Sequence, residues 1–413
     1  MKNLQTLSRR KFLLRTAAFG CSAAASPFLT PITLAAAPWD NRLVVIILRG
    51  AMDGLDVIRP YGDRNFAAYR PSLSDREGTT DLDGFFALNK HANPLMPLWK
   101  SGELAFANAV ATPYRDKRSH FDGQDMLEAG TGTDVGLHQV RDGWMNRMLA
   151  EVPGITAKTA FAVGRENLII LSGDAPTSSW SPNTRLDLSQ QGKRLLSALY
   201  HDDPLFQEVG AIALEMDELM DMQGGKDISN DNLAMNDAMI NSMMNAGRSA
   251  RAKALARFTA ERLNEETRLA AFSISGWDTH RTQENGIKGA LSELSDAVLT
   301  LKQVLGANWQ KTAVIAITEF GRTARENGTR GTDHGTGGAM LMAGGAIRGG
   351  KVYGNWPGLG ESDLYQNRDL MPTADVRAYA ADAMHGLFGL DRNLLQRVVF
   401  PGLDMGEDRG ILL

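Results

Sequence analysis

Six short apolar runs constrain this chain more than any other feature. They are Leu43–Leu48, Leu104–Ala107, Ala160–Val163, Ala270–Ile274, Thr312–Ile317 and Ala339–Met342. Each is continuously apolar rather than alternating, the pattern of strands covered on both faces. Helical signals separate many of them. Between 287 and 305, Leu291, Leu294, Val298, Leu301 and Leu305 recur at spacings of three and four, which predicts an amphipathic helix feeding the Thr312 strand. Pro372 to Leu390 reads as another helix, with Gly389 near its end. Strands alternating with helices predict an α/β fold with a doubly wound, mostly parallel sheet.

One stretch departs from this rhythm. From about Arg194 to Arg268 the chain is rich in Leu, Ala, Met, Glu and Arg, carries no strand signal and is broken once at Gly224-Gly225. It reads as a helical insert, whose Met235, Met239, Met243 and Met244 fall at the spacing of packing residues.

The first 37 residues read as an export leader. Ser8-Arg9-Arg10-Lys11-Phe12-Leu13-Leu14 precedes an Ala-rich, moderately apolar stretch ending at Ala35-Ala36-Ala37. A basic start, an apolar middle and a small-residue end make a secretory signal, and the arginine pair selects the twin-arginine subtype. The expected export partner is the twin-arginine translocase, and the expected destination is the periplasm or beyond. Arg15, Pro27 and Pro31 leave no run of about 18 apolar residues, so no stable membrane span is expected after cleavage. The folded part is then 38–413, one α/β domain carrying the insert.

Removing the leader changes the charge balance. It holds five of the 44 Lys and Arg and none of the 48 Asp and Glu, so the remainder carries 39 against 48, a formal charge of −9. That balance argues against nucleic acid as a partner. The single cysteine, Cys21, lies inside the leader in a poor context for lipid attachment. The folded part therefore has no thiolate metal site, disulfide or cysteine nucleophile.

Function is read from where the polar residues fall, because open α/β sheets bind ligands beyond the carboxyl ends of their strands. The first strand runs into Arg49-Gly50-Ala51-Met52-Asp53-Gly54-Leu55-Asp56, and the Ala270 strand into Gly276-Trp277-Asp278-Thr279-His280. The Thr312 strand runs into Thr318-Glu319-Phe320-Gly321-Arg322, and a glycine-rich loop presents Thr332-Asp333-His334-Gly335. Arg118-Ser119-His120-Phe121-Asp122 follows the Leu104 strand and opens a helix. Taken singly, Asp56 and Asp122 read as caps or turn formers, and His91, His138, His201 and His385 acquire no role. Taken together, Asp, Glu and His at several strand ends suit a divalent metal such as Zn, Mn, Mg or Ca. Ser119 at a helix start suits a nucleophile and equally an N-cap. Arg49, Arg118 and Arg322 can clamp a phosphate or sulfate. The combination suggests metal-assisted attack on an anionic ester.

These same motifs, with the closing Phe400-Pro401-Gly402, closely resemble the bacterial family called domain of unknown function 1501, over about Arg42 to Gly402. Its members commonly carry twin-arginine leaders. That family in turn resembles the alkaline phosphatase and sulfatase superfamily, which holds one or two divalent metals at strand ends around a Ser, Thr or modified Cys nucleophile. The resemblance implies metal ligands at Asp53, Asp278, His280, Glu319, Asp333 and His334. It makes Ser119 the nucleophile, with Arg49 and Arg322 as anion clamps. Two departures stand out. One residue separates Asp278 from His280 where the superfamily often has three. Glu319-Phe320-Gly321 stands where Asp-His-Gly is usual. Asp333-His334 either supplies the missing histidine or matches the late histidine of another metal site. The implied activity is hydrolysis of phosphate or sulfate esters by an exported enzyme. The alternative is a non-catalytic binding or assembly protein on the same fold. A redox enzyme ranks last, since no cysteines remain for clusters and no strand–GxGxxG–helix unit is present.

Overall fold

The computed structural model describes residues 39–115, 117–133, 142–164, 166, 168–181 and 248–413. The expected leader and the insert up to residue 247 lie outside them, as do His138 and His201.

Nine described strands form one sheet: β1 (Arg42–Arg49), β2 (Leu104–Ala111), β3 (Ala160–Val163), β4 (Ser178–Trp180), β5 (Leu269–Ser275), β6 (Thr312–Ile317), β7 (Gly338–Ala343), β8 (Val352–Tyr353) and β9 (Ala374–Asp375). Their order is β8-β2-β7-β6-β1-β5-β3-β4, with β9 also paired to β2. Every strand runs the same way except β7, which is antiparallel to both β6 and β2. All six expected strands are present within a residue or two of the sequence reading, except that β2 continues to Ala111.

The continuous apolar runs follow from a sheet buried on both sides. Along β1, Leu43, Val45 and Ile47 join a core with the helices Trp144–Ala150 and Val376–Phe388. Val44, Ile46 and Leu48 join a second core on the other face, with Gln283–Leu305 and Arg248–Leu263. Strict alternation of two apolar sets along one strand is what double winding demands. Arg248–Leu263 is the described part of the expected insert, and its Ala252, Leu255, Ala256, Ala260 and Leu263 belong to the sheet's own core.

The reversed strand decides what meets at the carboxyl edge. β1, β2, β5 and β6 deliver the residues that follow them to that edge. Because β7 runs backwards, it delivers the residues that precede it, the Asp333–His334 loop. Two glycines allow the crowding there. Gly50 sits at φ +115, and a Cβ on it would lie 2.6 Å from the Asp278 nitrogen. A Cβ on Gly321 would lie 1.9 Å from the Gly337 carbonyl oxygen. Any side chain at either position would force the strand ends apart.

Candidate metal centre

Glu319 extends β6 and is fully buried. Its Oε1 accepts hydrogen bonds from the Gly50 and Ala51 amides (2.9 and 3.0 Å), from His120 Nδ1 (2.8 Å) and from Gln124 Nε2 (3.2 Å). Burial pushes its carboxyl up, but the bonds from His120 and the Gly50 amide outweigh burial and hold it below the usual range. Glu319 thus stands ionised behind the His120 ring.

His120 is the first residue of the helix His120–Ala129, whose N-cap is Ser119. Its ring stacks on Phe320 at 5.3 Å and meets His334 edge-on at 4.2 Å. With Nδ1 taken by Glu319, its Nε2 is buried without a hydrogen-bond partner, 3.6 Å from Asp278 Oδ2.

Two more imidazoles repeat the arrangement. His334 Nδ1 donates to the Arg118 carbonyl at 2.9 Å, and His280 Nδ1 donates to Asp333 Oδ1 at 3.0 Å. The two Nε2 atoms lie 2.9 Å apart, and each also faces Asp278 Oδ1, at 3.0 Å from His280 and 3.4 Å from His334. A carbonyl can only accept, so His334 carries its proton on Nδ1, and the carboxylates impose the same tautomer on the other two rings. In the neutral rings, all three Nε2 lone pairs then border the Asp278 carboxylate, His120 on the Oδ2 side and the other two at Oδ1. Burial lowers the His334 pKa further, with Arg322 and the neighbouring histidines adding to it against the Arg118 carbonyl, so that ring favours its neutral, ligating form.

With the rings neutral, these acceptors meet one donor, Arg322 Nη2 on Asp278 Oδ1 at 2.6 Å, an arrangement that a divalent cation among them would relieve. The set fits a divalent metal. Ligand atoms of His120, Asp278 and His334 all lie within 4.8 Å of one another, inside the roughly 5 Å that a first shell at about 2.0–2.6 Å permits. Each ring nitrogen facing away is braced by a carboxylate or carbonyl, as is usual behind metal-bound histidines. Asp278 and His280 are 48% and 41% exposed at the side chain, so the cluster opens to solvent.

The remaining expected residues occupy other positions. Arg322 is buried and donates to the carbonyls of Ala51, Thr332, Gly50 and Trp277, and to Asp278 Oδ1 at 2.6 Å. Burial raises the Asp278 carboxyl, but the hydrogen bond and charge of Arg322 outweigh it and keep the group ionised. Arg49 is bound to Gln124, Glu128 and Glu166. Asp53 is buried and gripped by Arg70 at 2.6 and 3.1 Å, with Gln283 Nε2 adding a third donor at 2.6 Å. Asp333 backs His280 and accepts from Asn327 as well. Ser119 caps its helix, its Oγ 3.4 Å from the Asp122 amide. His120 was not among the expected ligands. Its signal was its place in the Arg118–Asp122 motif, which drew notice for its serine.

The sequence pattern of a family described as protein of unknown function (DUF1501) matches residues 100–399. Among solved structures, the chain is similar to the zinc complex of the C-terminal periplasmic domain of EcEptC from Escherichia coli. That match has 10% identity, covers 76% of this chain and 74% of that one, and has a TM-score of 0.36. It is also similar to a protein in the alkaline phosphatase superfamily from Vibrio parahaemolyticus (12% identity, 82% and 69% covered, TM-score 0.33). A third likeness is to the lipoteichoic acid synthase LtaP from Listeria monocytogenes (8% identity, 71% and 59% covered, TM-score 0.32). No curated protein matches.

Proposed function

The chain belongs to the DUF1501 family of proteins of unknown function, and from that premise we propose that it is a metal-dependent hydrolase of phosphate or sulfate esters. The observation that carries this reading is the convergence of three braced imidazole Nε2 atoms on Asp278. His120, Asp278 and His334 would hold the ion, with His280 beside them against Asp278 and His334. When bound, a divalent metal there would supply Lewis-acid polarisation of an ester oxygen. Asp53 is neutralised by Arg70 inside the protein, so the reading is of one ion.

The anionic character of the substrate rests on the rim. Arg118 and Arg368 reach the surface beside His334, where both pair with the buried Asp369 and keep part of each guanidinium open to an incoming anion. Arg322 and Arg49 spend their donors within the protein, and Arg322 acts by holding Asp278. Ser119 is the proposed nucleophile. Its Oγ bonds to the phosphorus or sulfur as the ester bond breaks, its proton passing to solvent and the leaving oxygen taking one from water. A second water then displaces the group from Oγ, restoring the serine hydroxyl and releasing inorganic phosphate or sulfate. A second reading, a non-catalytic binder, is favoured by the Ser119 hydroxyl's engagement as a cap.

The test is hydrolysis of aryl phosphate and aryl sulfate by the purified chain. Turnover that disappears on chelation and returns with a divalent ion supports the reading; turnover indifferent to chelation contradicts it.

We further infer export through the twin-arginine route. The arginine pair supports it, and no helix among the described residues is long and apolar enough to cross a membrane. Changing Arg9 and Arg10 to Lys should leave the precursor in the cytoplasm. Normal periplasmic accumulation of that variant would count against the route.

A further inference from the structure

We propose that Asp369 is a positioning residue for this centre, acting through Arg118 to fix the tautomer and direction of His334; the inference rests on the proposed metal site. Asp369 is fully buried and touches no candidate ligand side chain. Its Oδ2 accepts from Thr336 Oγ at 2.9 Å and from Arg118 Nη2 at 3.3 Å, and its Oδ1 accepts from Arg368 Nη1 at 2.8 Å. Both arginines also bind His334. Arg368 Nη1 donates to the His334 carbonyl at 2.9 Å, while the Arg118 carbonyl receives the His334 Nδ1 proton, also at 2.9 Å.

Arg118 pays for that role in its backbone. Its φ is +53, in the left-handed region that few residues other than glycine adopt. This conformation aims its carbonyl at the ring, immediately before Ser119 caps the helix that presents His120. The Asp369–Arg118 pair anchors the side chain whose backbone is bent, so it opposes relaxation to an ordinary φ. Were the carbonyl to swing away, His334 would lose the acceptor that keeps its proton on Nδ1, and the Nε2 lone pair would no longer be reserved for the cluster.

The competing interpretation is a buried ion pair that serves stability alone. Titration of the full chain with Zn2+ against a chromophoric chelator, together with thermal melts, separates the two. Asp369→Asn should weaken Zn2+ binding by up to about 10-fold, the low end of the loss when a partner directly behind a ligand is removed, because Asp369 stands one step further out. Arg118→Ala should weaken it similarly. Arg118→Gly should recover most of the loss, because glycine takes a positive φ without the anchor. A purely structural role predicts no such recovery. An Asp369→Asn chain with parental affinity overturns the inference, as does an Arg118→Gly chain that binds no more tightly than Arg118→Ala. If Asp369→Asn does not fold, the Arg118 pair decides alone. A parent chain that binds no Zn2+ overturns the metal site itself, and this inference with it.

Discussion

Replacing Ser119 with Ala should cut ester turnover by about 100-fold or more while leaving metal content unchanged. The hydroxyl caps the helix His120–Ala129 through the Asp122 amide, and losing a cap costs about 0.5–2 kcal/mol of stability. A cap loss of that size lowers the melting temperature by a few degrees and leaves the folded fraction near one. It cannot remove two orders of magnitude of turnover from the folded enzyme. The two roles therefore separate by size of effect, and Ser119→Gly adds a control, because glycine is tolerated at an N-cap with a loss of only a few tenths of a kcal/mol. Full hydrolysis by a Ser119→Ala chain that merely melts lower would make the serine a cap. Attack by water, or a non-catalytic role, would then be the better reading.

The strands were legible because both faces of the sheet are buried, so each wrote itself as an unbroken apolar run. Strand direction was not legible. Nothing in Ala339–Met342 distinguishes a parallel strand from the antiparallel one it forms, yet that reversal carries Asp333 and His334 to the shared edge. The long helix beside the sheet was read from 287 and begins four residues earlier, at Gln283. Gln283 is fully buried, where its amide bridges Asp53 and Asp56, so its partners rather than its polarity explain its place in the helix.

At the site, sequence marked which polar residues gather but not which edge of an imidazole each one meets. Glu319 and Asp333 are carboxylates beside histidines, and a one-dimensional pattern cannot tell a group that binds an ion from one that braces a ring. The fate of Asp53 depends on Arg70, a residue at the end of the short helix Arg64–Tyr69 whose guanidinium reaches back to it. His120 escaped for a similar reason. Its Nε2 becomes a candidate ligand only because Glu319, 199 positions away, takes its Nδ1. Pairings of that range are set by the sheet order, which composition and spacing do not encode.

The most direct test is the metal content of the full chain after dialysis against metal-free buffer, compared with that of His120→Ala. The parent should retain one divalent ion per chain. One ion rather than two is expected because Arg70 already neutralises the carboxylate that follows the first strand. His120→Ala should lose the ion, with affinity falling by more than the roughly 100-fold upper range seen when only a bracing partner is removed. Its melting temperature without metal should fall by several degrees, since the substitution also removes the Nδ1 hydrogen bond to buried Glu319 and the stacking on Phe320, so metal content is compared on the folded fraction. A parent chain that retains no divalent ion, or a His120→Ala chain that retains as much as the parent, would contradict the metal centre.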